Sequence, residues 1–458
     1  MEDTSLAEKI IVGFSDFAWG TPLLVLLLGG GLFFLLYSRL LPLRYIGHSL
    51  NILRGKYDHP DEPGQINHYQ ALSTALAATV GMGNVSGVAL AIVYGGPGAI
   101  FWMWISALLG VTTKYFTCTL AVMYRGKDSN GELQGGPMYV IVEGLGKNWR
   151  PLAVFFSVMG MIGVSPMFQA NQMTQLIRDV ILVPANIQTG LGSDLITGII
   201  IAMIVSVVIF GGIKRIGKVT GRMVPVMVVL YLLAVVYILA SNSEKIIPGF
   251  QLIFHDAFHA DSVLGGALGA LIITGVRRAA FSNEAGIGTA PMAHGAAKTN
   301  EPVREGLVAM LGPIVDTIIV CTLTALALII TGVWNTGDAD GITLTAMAFE
   351  TAIPGFGSLL LTICVTIFAL STMLSFPYYG AKCFSFVFGA KYSKAYYWLY
   401  VMVIPLGAAA TLGFTVGIFD GAYAMMAFPT MISAILLSPK VIKASKLYFR
   451  NLKRSKRE

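Results

Sequence analysis

The chain has 458 residues, of which 55% are hydrophobic and only 12% are charged. Soluble domains carry about 25% charged residues, so this composition excludes an ordinary soluble protein and predicts an all-α polytopic membrane protein. The formal net charge of +7 reflects basic residues between the apolar runs. The basic tail over residues 438–458 is expected to contact the anionic lipid of the bilayer rather than nucleic acid.

Apolar runs long enough to cross a bilayer, about 20 residues each, recur along the whole chain and predict eleven spans. These spans cover residues 18–38, 70–94, 98–122, 151–181, 193–212, 221–241, 262–295, 303–333, 355–388, 395–412 and 415–437. The seventh and ninth runs are too long for one straight crossing, so each is expected to contain a break or an interfacial tail. The acidic N-terminus lacks the basic start of a cleaved signal peptide, so the first run is expected to be retained.

The distribution of Lys and Arg predicts the orientation of these spans. If the C-terminus is cytoplasmic, the outside segments hold only Lys9, Arg178 and Lys245, and every other basic residue between spans lies inside. This asymmetry follows the positive-inside rule. With an odd number of spans, it places the N-terminus outside and the C-terminus in the cytoplasm, as expected for a multi-pass protein of the cell membrane.

The spans after the first divide into two sets of five. The first set occupies residues 70–241 and the second residues 262–437, whereas residues 1–69 hold the additional N-terminal span and its connector. Each set begins with a span that glycine interrupts. Because five is odd, the second set enters the membrane from the opposite side. This arrangement predicts a five-plus-five inverted repeat, with a binding site near the midplane between the interrupted spans.

The second span is broken at its centre by polar and glycine residues. Its sequence, ALAATVGMGNVSGVALAIV, places Gly81, Gly83 and Asn84 at membrane depth. Backbone that is left unpaired there is tolerated only beside a cavity or a binding site. The alternative is a helix-packing seam of the GxxxG type, but packing alone does not require Asn84.

Unwinding of this span would free backbone groups of both signs. The carbonyls between Ala77 and Val80 would suit a small hard cation such as Na⁺, and the amides of residues 83–85 would suit a carboxylate at the start of a half-helix. Thr79 and Asn84 add side-chain oxygens beside these groups. The segment is therefore a candidate site for both an anionic group and a cation.

The seventh span contains a similar sequence, Thr274-Gly275-Val276, which predicts a second break. Arg277, Arg278 and Glu284 follow it at membrane depth or at the inner interface, where charged residues are costly and usually paired. A structural or gate ion pair is the favoured interpretation. Because Arg278 and Glu284 do not share a face of a continuous helix, either a further break lies at residues 283–288 or each has another partner.

Spans eight and nine each carry polar residues that suit a cation. Asp316 lies alone in an apolar run and needs a cation, a proton or a basic partner such as Lys114 or one of the span-seven arginines. Ser371 and Thr372, with the Phe368 carbonyl, offer hard oxygens to Na⁺. The alternative for the two hydroxyls is a hydrogen bond to the carbonyl one turn earlier, and the residues alone favour that alternative.

No sequence feature indicates an enzyme. We find no nucleophile elbow, phosphate loop or dinucleotide-binding fingerprint in a credible context. The four cysteines lie in or beside apolar runs without metal-binding spacing, so they are expected to be small core residues. No cofactor is expected.

Three long blocks of the sequence resemble those of a known family. TVGMGNVSGVALAIVYGGPGAIFWMWISALLG, GGPMYVI and RRAAFSNEAGIGTAPMAHGAA are similar to signature blocks of the alanine or glycine:cation symporters, also called sodium:alanine symporters. That family belongs to the amino acid–polyamine–organocation superfamily, whose fold is the five-plus-five inverted repeat. The similarity extends over residues 40 to 440. One departure is that family members often carry a glutamate after the Lys114-Tyr115 pair, where this chain has Phe116.

The resemblance also implies two cation positions. In the first, Thr79 and Asn84 would bind a cation beside the substrate carboxylate. In the second, the carbonyls of the span-two break and of span nine would join two span-nine hydroxyls. The implied ligands of this second position are Ala77, Val80, Phe368, Ser371 and Thr372.

Together these features predict a secondary active symporter that imports alanine or glycine with Na⁺ by alternating access. The amino group of the substrate would meet the carbonyls of residues 274–276. The space for the substrate side chain would be restricted by Phe168 and Gln169, which follow a predicted proline kink in span four, and by Thr366 in span nine. The alternative for polar span-four residues is a contact between helices. The main alternative is proton coupling through Asp316 or Glu284; a channel is less favoured because no continuous polar pore is evident.

Overall fold

The computed structural model describes residues 6–59, 61–258, 267–337 and 341–454. The predicted start of span seven, at residues 262–266, and the last residues of the basic tail lie outside the described residues. Within the described part the chain is almost entirely helical.

The helices of the first part of the chain include one interrupted pair in the second predicted span. They are α1 (Leu6–Ala18), α2 (Thr21–Tyr37), α3 (Leu41–Arg44), α4 (Ile46–Leu53), α5 (His68–Thr79), α6 (Met82–Gly95), α7 (Ala99–Met123), α8 (Pro137–Tyr139), α9 (Arg150–Gly163), α10 (Met167–Ile177), α11 (Leu191–Ile209), α12 (Gly212–Ser241) and α13 (Ile246–Ala257). A two-stranded antiparallel hairpin, β1 (Gly126–Lys127) and β2 (Leu133–Gln134), follows α7.

A second interrupted pair opens the remaining part of the chain. The helices there are α14 (Ala267–Asn283), α15 (Thr289–His294), α16 (Pro302–Ala309), α17 (Leu311–Pro313), α18 (Thr322–Thr331), α19 (Gly341–Ala352), α20 (Gly357–Phe388), α21 (Ser393–Ala409) and α22 (Leu412–Arg454). A π-helical segment, Ile314–Cys321, links α17 to α18.

Nine helical stretches within the described residues are long and apolar enough to cross a bilayer. They correspond to nine of the eleven predicted spans. The other two predicted spans correspond to α14 with α15 and to α21; α14 and α21 have 17 residues each. The structure therefore has the helices of a multi-pass membrane protein.

The first interruption lies between α5 and α6, where the sequence predicts it. Val80 and Gly81 adopt extended conformations (φ −72° and ψ 99°, then φ −169° and ψ −141°), and α6 resumes at Met82. All residues around this break are buried. The Asn84 amide donates to the Gly81 carbonyl oxygen at 3.1 Å, whereas the last carbonyls of α5 from Ala77 onward and the amides of Met82 and Gly83 lack the partners that a continuous helix would supply.

The second interruption lies further along the chain than Thr274–Val276, so the prediction of a break at that tripeptide is wrong. Helix α14 runs without interruption to Asn283. The chain then turns through Glu284, Gly286 and Gly288, whose φ values of 56°, 88° and 110° are all left-handed. The break therefore falls at the alternative position, residues 284–288.

The reason for Gly275 is close packing rather than unwinding. A methyl group at Gly275 would lie 2.6 Å from the Ala99 carbonyl oxygen and 2.7 Å from Trp102 Cβ. The glycine therefore lets α14 approach α7, as small residues do at membrane helix contacts.

The same kind of contact joins α16 to α7 and gives a test of the packing. A methyl group at Gly306 would lie 2.0 Å from Thr119 Oγ1 and 2.7 Å from the Tyr115 carbonyl oxygen. Gly306→Ala should lower the free energy of unfolding by about 1–3 kcal/mol, because the close-packed helices must move apart. The measurement is the thermal midpoint of the purified full-length protein.

Gly47→Ala is the matched control for this substitution. Gly47 lies in α4 and a methyl group there meets nothing within 4 Å, so its thermal midpoint should not fall. Equal midpoints for the two variants would contradict the packing of α16 on α7.

Candidate functional site

Two hydroxyls of α20 join the open end of α5. Ser371 Oγ and Thr372 Oγ1 donate hydrogen bonds to the Ala77 carbonyl oxygen at 3.2 and 3.1 Å. They also donate to the Phe368 carbonyl oxygen at 2.8 and 3.2 Å. The structure therefore contains both the helix back-bonding of the alternative interpretation and the contact between helices that a shared cation would need.

The first break is held close to this cluster. A methyl group at Gly81 would lie 2.6 Å from Thr372 Oγ1, so glycine is what allows this close approach. Val80, whose carbonyl is another predicted ligand, directly precedes Gly81 in the chain. The cluster consists of neutral hydroxyl and carbonyl oxygens, all buried, which are the ligands that hard cations prefer. This set of oxygen ligands therefore suits Na⁺.

Asn84 links the first break to Asp316. Its Oδ1 accepts a hydrogen bond from the Gly81 amide at 2.8 Å, and its Nδ2 donates to Asp316 Oδ1 at 2.8 Å. Asp316 Oδ2 accepts from Ser282 at 2.7 Å and from Thr317 at 2.8 Å. This second cluster carries a fully buried carboxylate and lies where the two interrupted spans meet.

The two breaks are in direct contact. A methyl group at Gly83 would lie 3.3 Å from Ser282 Cα and 3.2 Å from the Phe281 ring. The start of α6 therefore faces the end of α14, with amides on one side and the last carbonyls of a helix on the other.

Aromatic rings surround Phe281 at this junction. The Phe168 ring lies 5.4 Å from it and the Phe419 ring 4.8 Å from it, measured between centroids. Gln169, next to Phe168, is buried, and its Oε1 has no hydrogen-bond partner among the described residues. Phe168 thus lies beside the junction and Gln169 is buried; their role as walls of a pocket stays a prediction.

The remaining predicted site residues differ in how close they lie to the breaks. Thr79 is buried at the end of α5, where its hydroxyl donates only weakly to the Leu76 carbonyl at 3.5 Å. Residues 274–276 lie inside α14, more than one turn before the break. Thr366 is half-buried on the same helical face as the exposed Ile363. The structure does not bring residues 274–276 or Thr366 to the junction.

The charged residues of span seven, Arg277, Arg278 and Glu284, fall into two separate groups. Arg277 pairs with Asp420 of α22 at 2.9 Å and with Asp16 of α1 at 3.0 Å, and Arg278 lies 3.5 Å from Asp420. Glu284 does not join them, so an ion pair between Glu284 and these arginines is not formed.

Glu284 and Asp316 instead have hydroxyl partners. Glu284 accepts hydrogen bonds from Thr289 and from Tyr423, the latter at 2.9 Å. Lys114 is buried, yet it forms no ion pair with either carboxylate in the described part of the chain. Lys114 and the arginines were the basic partners expected for Asp316. Among the described residues neither pairs with it, and the side chains that bond to Asp316 are neutral.

Four functional candidates were missed in the sequence. Ser282 and Thr317 lie beside Asp316, and Asp420 and Tyr423 lie on α22. Asp420 carried a usable signal, because it is a lone aspartate in an apolar run, as Asp316 is. Ser282, Thr317 and Tyr423 carried none, since hydroxyls are common in membrane helices.

A family model described as the sodium:alanine symporter family matches residues 4–458. The sodium/alanine symporter AgcS of Methanococcus maripaludis is 42% identical over 98% of each chain. An uncharacterized transporter of Haemophilus influenzae is 41% identical over 97% of each chain. The crystal structure of MhsT in complex with L-phenylalanine superimposes with a TM-score of 0.59 at 11% identity, covering 84% of this chain and 99% of that one.

The Glu284 contacts give a prediction that is independent of function. Tyr423→Phe removes a hydrogen bond to a buried carboxylate, so it should lower the free energy of unfolding by about 1–3 kcal/mol. Tyr400→Phe is the control, because the Tyr400 hydroxyl is buried without a hydrogen-bond partner among the described residues. Thermal midpoints of the two purified variants should differ, and a midpoint for Tyr423→Phe that equals that of Tyr400→Phe would contradict this role.

Proposed function

This chain belongs to the sodium:alanine symporter family, and we propose that it imports alanine or glycine together with Na⁺ by alternating access. The match to the family model and to a relative confirms the resemblance noted in the sequence blocks. The members of this family are transporters. The observation that carries the proposal is the convergence of the Ala77 and Phe368 carbonyls with the Ser371 and Thr372 hydroxyls.

In this proposal, one Na⁺ binds where these four oxygens meet, together with the Val80 carbonyl. The hydroxyls, which now donate to carbonyls, would turn their lone pairs toward the ion. A second cation position is proposed at Thr79 and Asn84, close to the buried carboxyl group of Asp316. In its ionised form this carboxyl group would attract a cation.

The substrate is proposed to lie between the two breaks. Its carboxylate would meet the Gly83 amide at the start of α6, which carries partial positive charge; the Asn84 amide, also expected there, donates to the Gly81 carbonyl oxygen instead. Its amino group would meet the last carbonyls of α14, around residues 281–283, because α14 is continuous at 274–276. The rings of Phe168 and Phe281, whose centroids lie 5.4 Å apart, would limit the space for a side chain, and this would favour alanine or glycine.

We further propose the eleven-span, five-plus-five arrangement for this fold. The interrupted pairs α5/α6 and α14/α15 each open one set of five spans, in residues 70–241 and 262–437. The N-terminal span formed by α1 and α2 is additional. The N-terminus is proposed to face outside and the basic C-terminal tail to face the cytoplasm of the cell membrane.

Sodium coupling is tested by uptake of labelled alanine into proteoliposomes that hold the purified protein. One coupled Na⁺, with an inside-negative 100 mV potential and a tenfold gradient, supports about 500-fold accumulation. We expect accumulation with an inward Na⁺ gradient and none with K⁺. Uptake driven by a pH gradient without Na⁺ would overturn sodium coupling. Inhibition of labelled alanine uptake by unlabelled glycine, compared with inhibition by the larger glutamine, defines the substrate.

The Na⁺ position is tested with Thr372→Val and Ser371→Ala. Each variant removes one oxygen ligand, so the Na⁺ concentration for half-maximal uptake should rise about tenfold. Ser375→Ala is the matched control, since Ser375 is buried one turn further along α20 and its hydroxyl has no partner among the described residues. An unchanged Na⁺ dependence in both ligand variants would refute this assignment.

A further inference from the structure

A cavity of about 200 Å³ lies beyond the junction, at the end of the molecule predicted to face the cytoplasm. It is lined by residues of α20, including Tyr378 and Lys382, and by Asp128 and Gln134 of the hairpin region. Lys382 follows Ser371 by eleven residues, which places the cavity about 16 Å along α20 from the proposed Na⁺ position. Its volume equals that of about seven water molecules, enough for a small amino acid.

Lys382 is a buried lysine in the wall of this cavity. It is only 6% exposed, and its Nζ donates to the carbonyl oxygens of Gly135 at 3.1 Å and Met292 at 2.9 Å. It forms no ion pair in the described part of the chain. An ammonium group has three donors, and buried charges are normally paired. One donor of Lys382 therefore remains for an acceptor in the cavity.

Tyr378 supplies a second donor on the same wall. Its ring lies 4.8 Å from Lys382 Nζ, and the side chain is 6% exposed. Its hydroxyl has no hydrogen-bond partner among the described residues. A buried hydroxyl without a hydrogen-bond partner is unfavourable. A carboxylate bound at this wall would provide the acceptor that the Tyr378 hydroxyl lacks.

Asp128 supplies the opposite charge. Its Oδ1 accepts from the amides of Asn130 at 2.9 Å and Glu132 at 3.0 Å, and its Oδ2 accepts from Gln134 Nε2 at 3.1 Å. These contacts fix the carboxylate, which forms no ion pair with any described residue. The cavity is thus lined by one amino group and one carboxylate, Lys382 and Asp128, and neither forms a direct ion pair with a described residue.

We infer that this cavity is a second, cytoplasmic binding site for a zwitterionic α-amino acid, with the carboxylate at Lys382 and Tyr378 and the ammonium at Asp128. The inference rests on the proposed function for its ligand, because an imported amino acid leaves through this end. The two poles of this ligand are assigned to Lys382 with Tyr378 and to Asp128, and the assignment does not use the Ser371 and Thr372 hydroxyls, so we expect binding here to be independent of Na⁺, unlike binding at the junction.

The experiment measures binding of alanine in K⁺ buffer by saturation-transfer NMR, using the full-length protein in nanodiscs. Lys382→Met should weaken this binding about tenfold, and Tyr378→Phe, which removes only a hydroxyl without a partner, should weaken it about threefold. Lys391→Met is the control, because Lys391 is exposed at the same end of the molecule; it should leave the affinity unchanged.

Acetate, ethylamine and inorganic phosphate distinguish the ligand class. A zwitterion site binds alanine at least about tenfold more tightly than acetate or ethylamine, which each engage one pole. Equal binding of acetate or phosphate would identify an anion site and overturn the inference, as would alanine binding that is insensitive to both Lys382→Met and Tyr378→Phe.

Ser371→Ala separates this inference from the proposed function. That variant should keep its alanine binding in K⁺ while its Na⁺-driven uptake is impaired. Failure of Na⁺-driven uptake in the unmodified protein would contradict the proposed symport, whereas loss of K⁺-buffer binding in Ser371→Ala would show that the signal arises at the junction.

Discussion

Buried backbone that leaves helical hydrogen bonding must find partners inside the protein, and this constraint organises the centre of the molecule. At the first break, the Gly81 amide donates to Asn84, and the Ala77 carbonyl accepts from two hydroxyls of α20. At the second break, Thr430 of α22 donates to the Ile287 carbonyl at 3.0 Å. Each break is therefore stable only because helices that are distant in sequence pack against it.

The two clusters that satisfy the first break differ in how readily they can exchange partners. Hydrogen bonds between neutral groups contribute about 0.5–1.5 kcal/mol each, whereas those to a charged group contribute about 1.5–3 kcal/mol. The hydroxyls of Ser371 and Thr372 can thus give up the Ala77 carbonyl to an ion at small cost. Asp316, which accepts from three side chains, holds Asn84 firmly in place. The Ser371 and Thr372 cluster therefore suits reversible binding, whereas the cluster around Asn84 and Asp316, the second proposed cation position, would change its hydrogen bonds only at a higher cost.

The sequence predicts the spans and the first break because both depend on local composition. Hydropathy locates membrane helices, and Gly81 beside Asn84 has no favourable place in a lipid-exposed helix. The second break was misplaced because Gly275 and Gly286 look alike in sequence, although one serves packing against α7 and the other a left-handed turn. The pairing of Arg277 with Asp420 was out of reach, since a contact across 143 residues leaves no local pattern.

The breaks also divide the interrupted pairs into two units. On one side α6 packs on α14, where Gly83 meets Ser282. On the other side the buried Glu305 of α16 joins His68 at the start of α5 to His294 at the end of α15, the latter at 2.5 Å. The first half-helix of each pair is thus bound to the second half-helix of the other pair. Rotation of one unit against the other would change backbone angles mainly at the breaks, where no helical hydrogen bond needs to be broken. If the proposed alternating access uses this rotation, the helices would stay intact and only the side-chain contacts at the breaks would change.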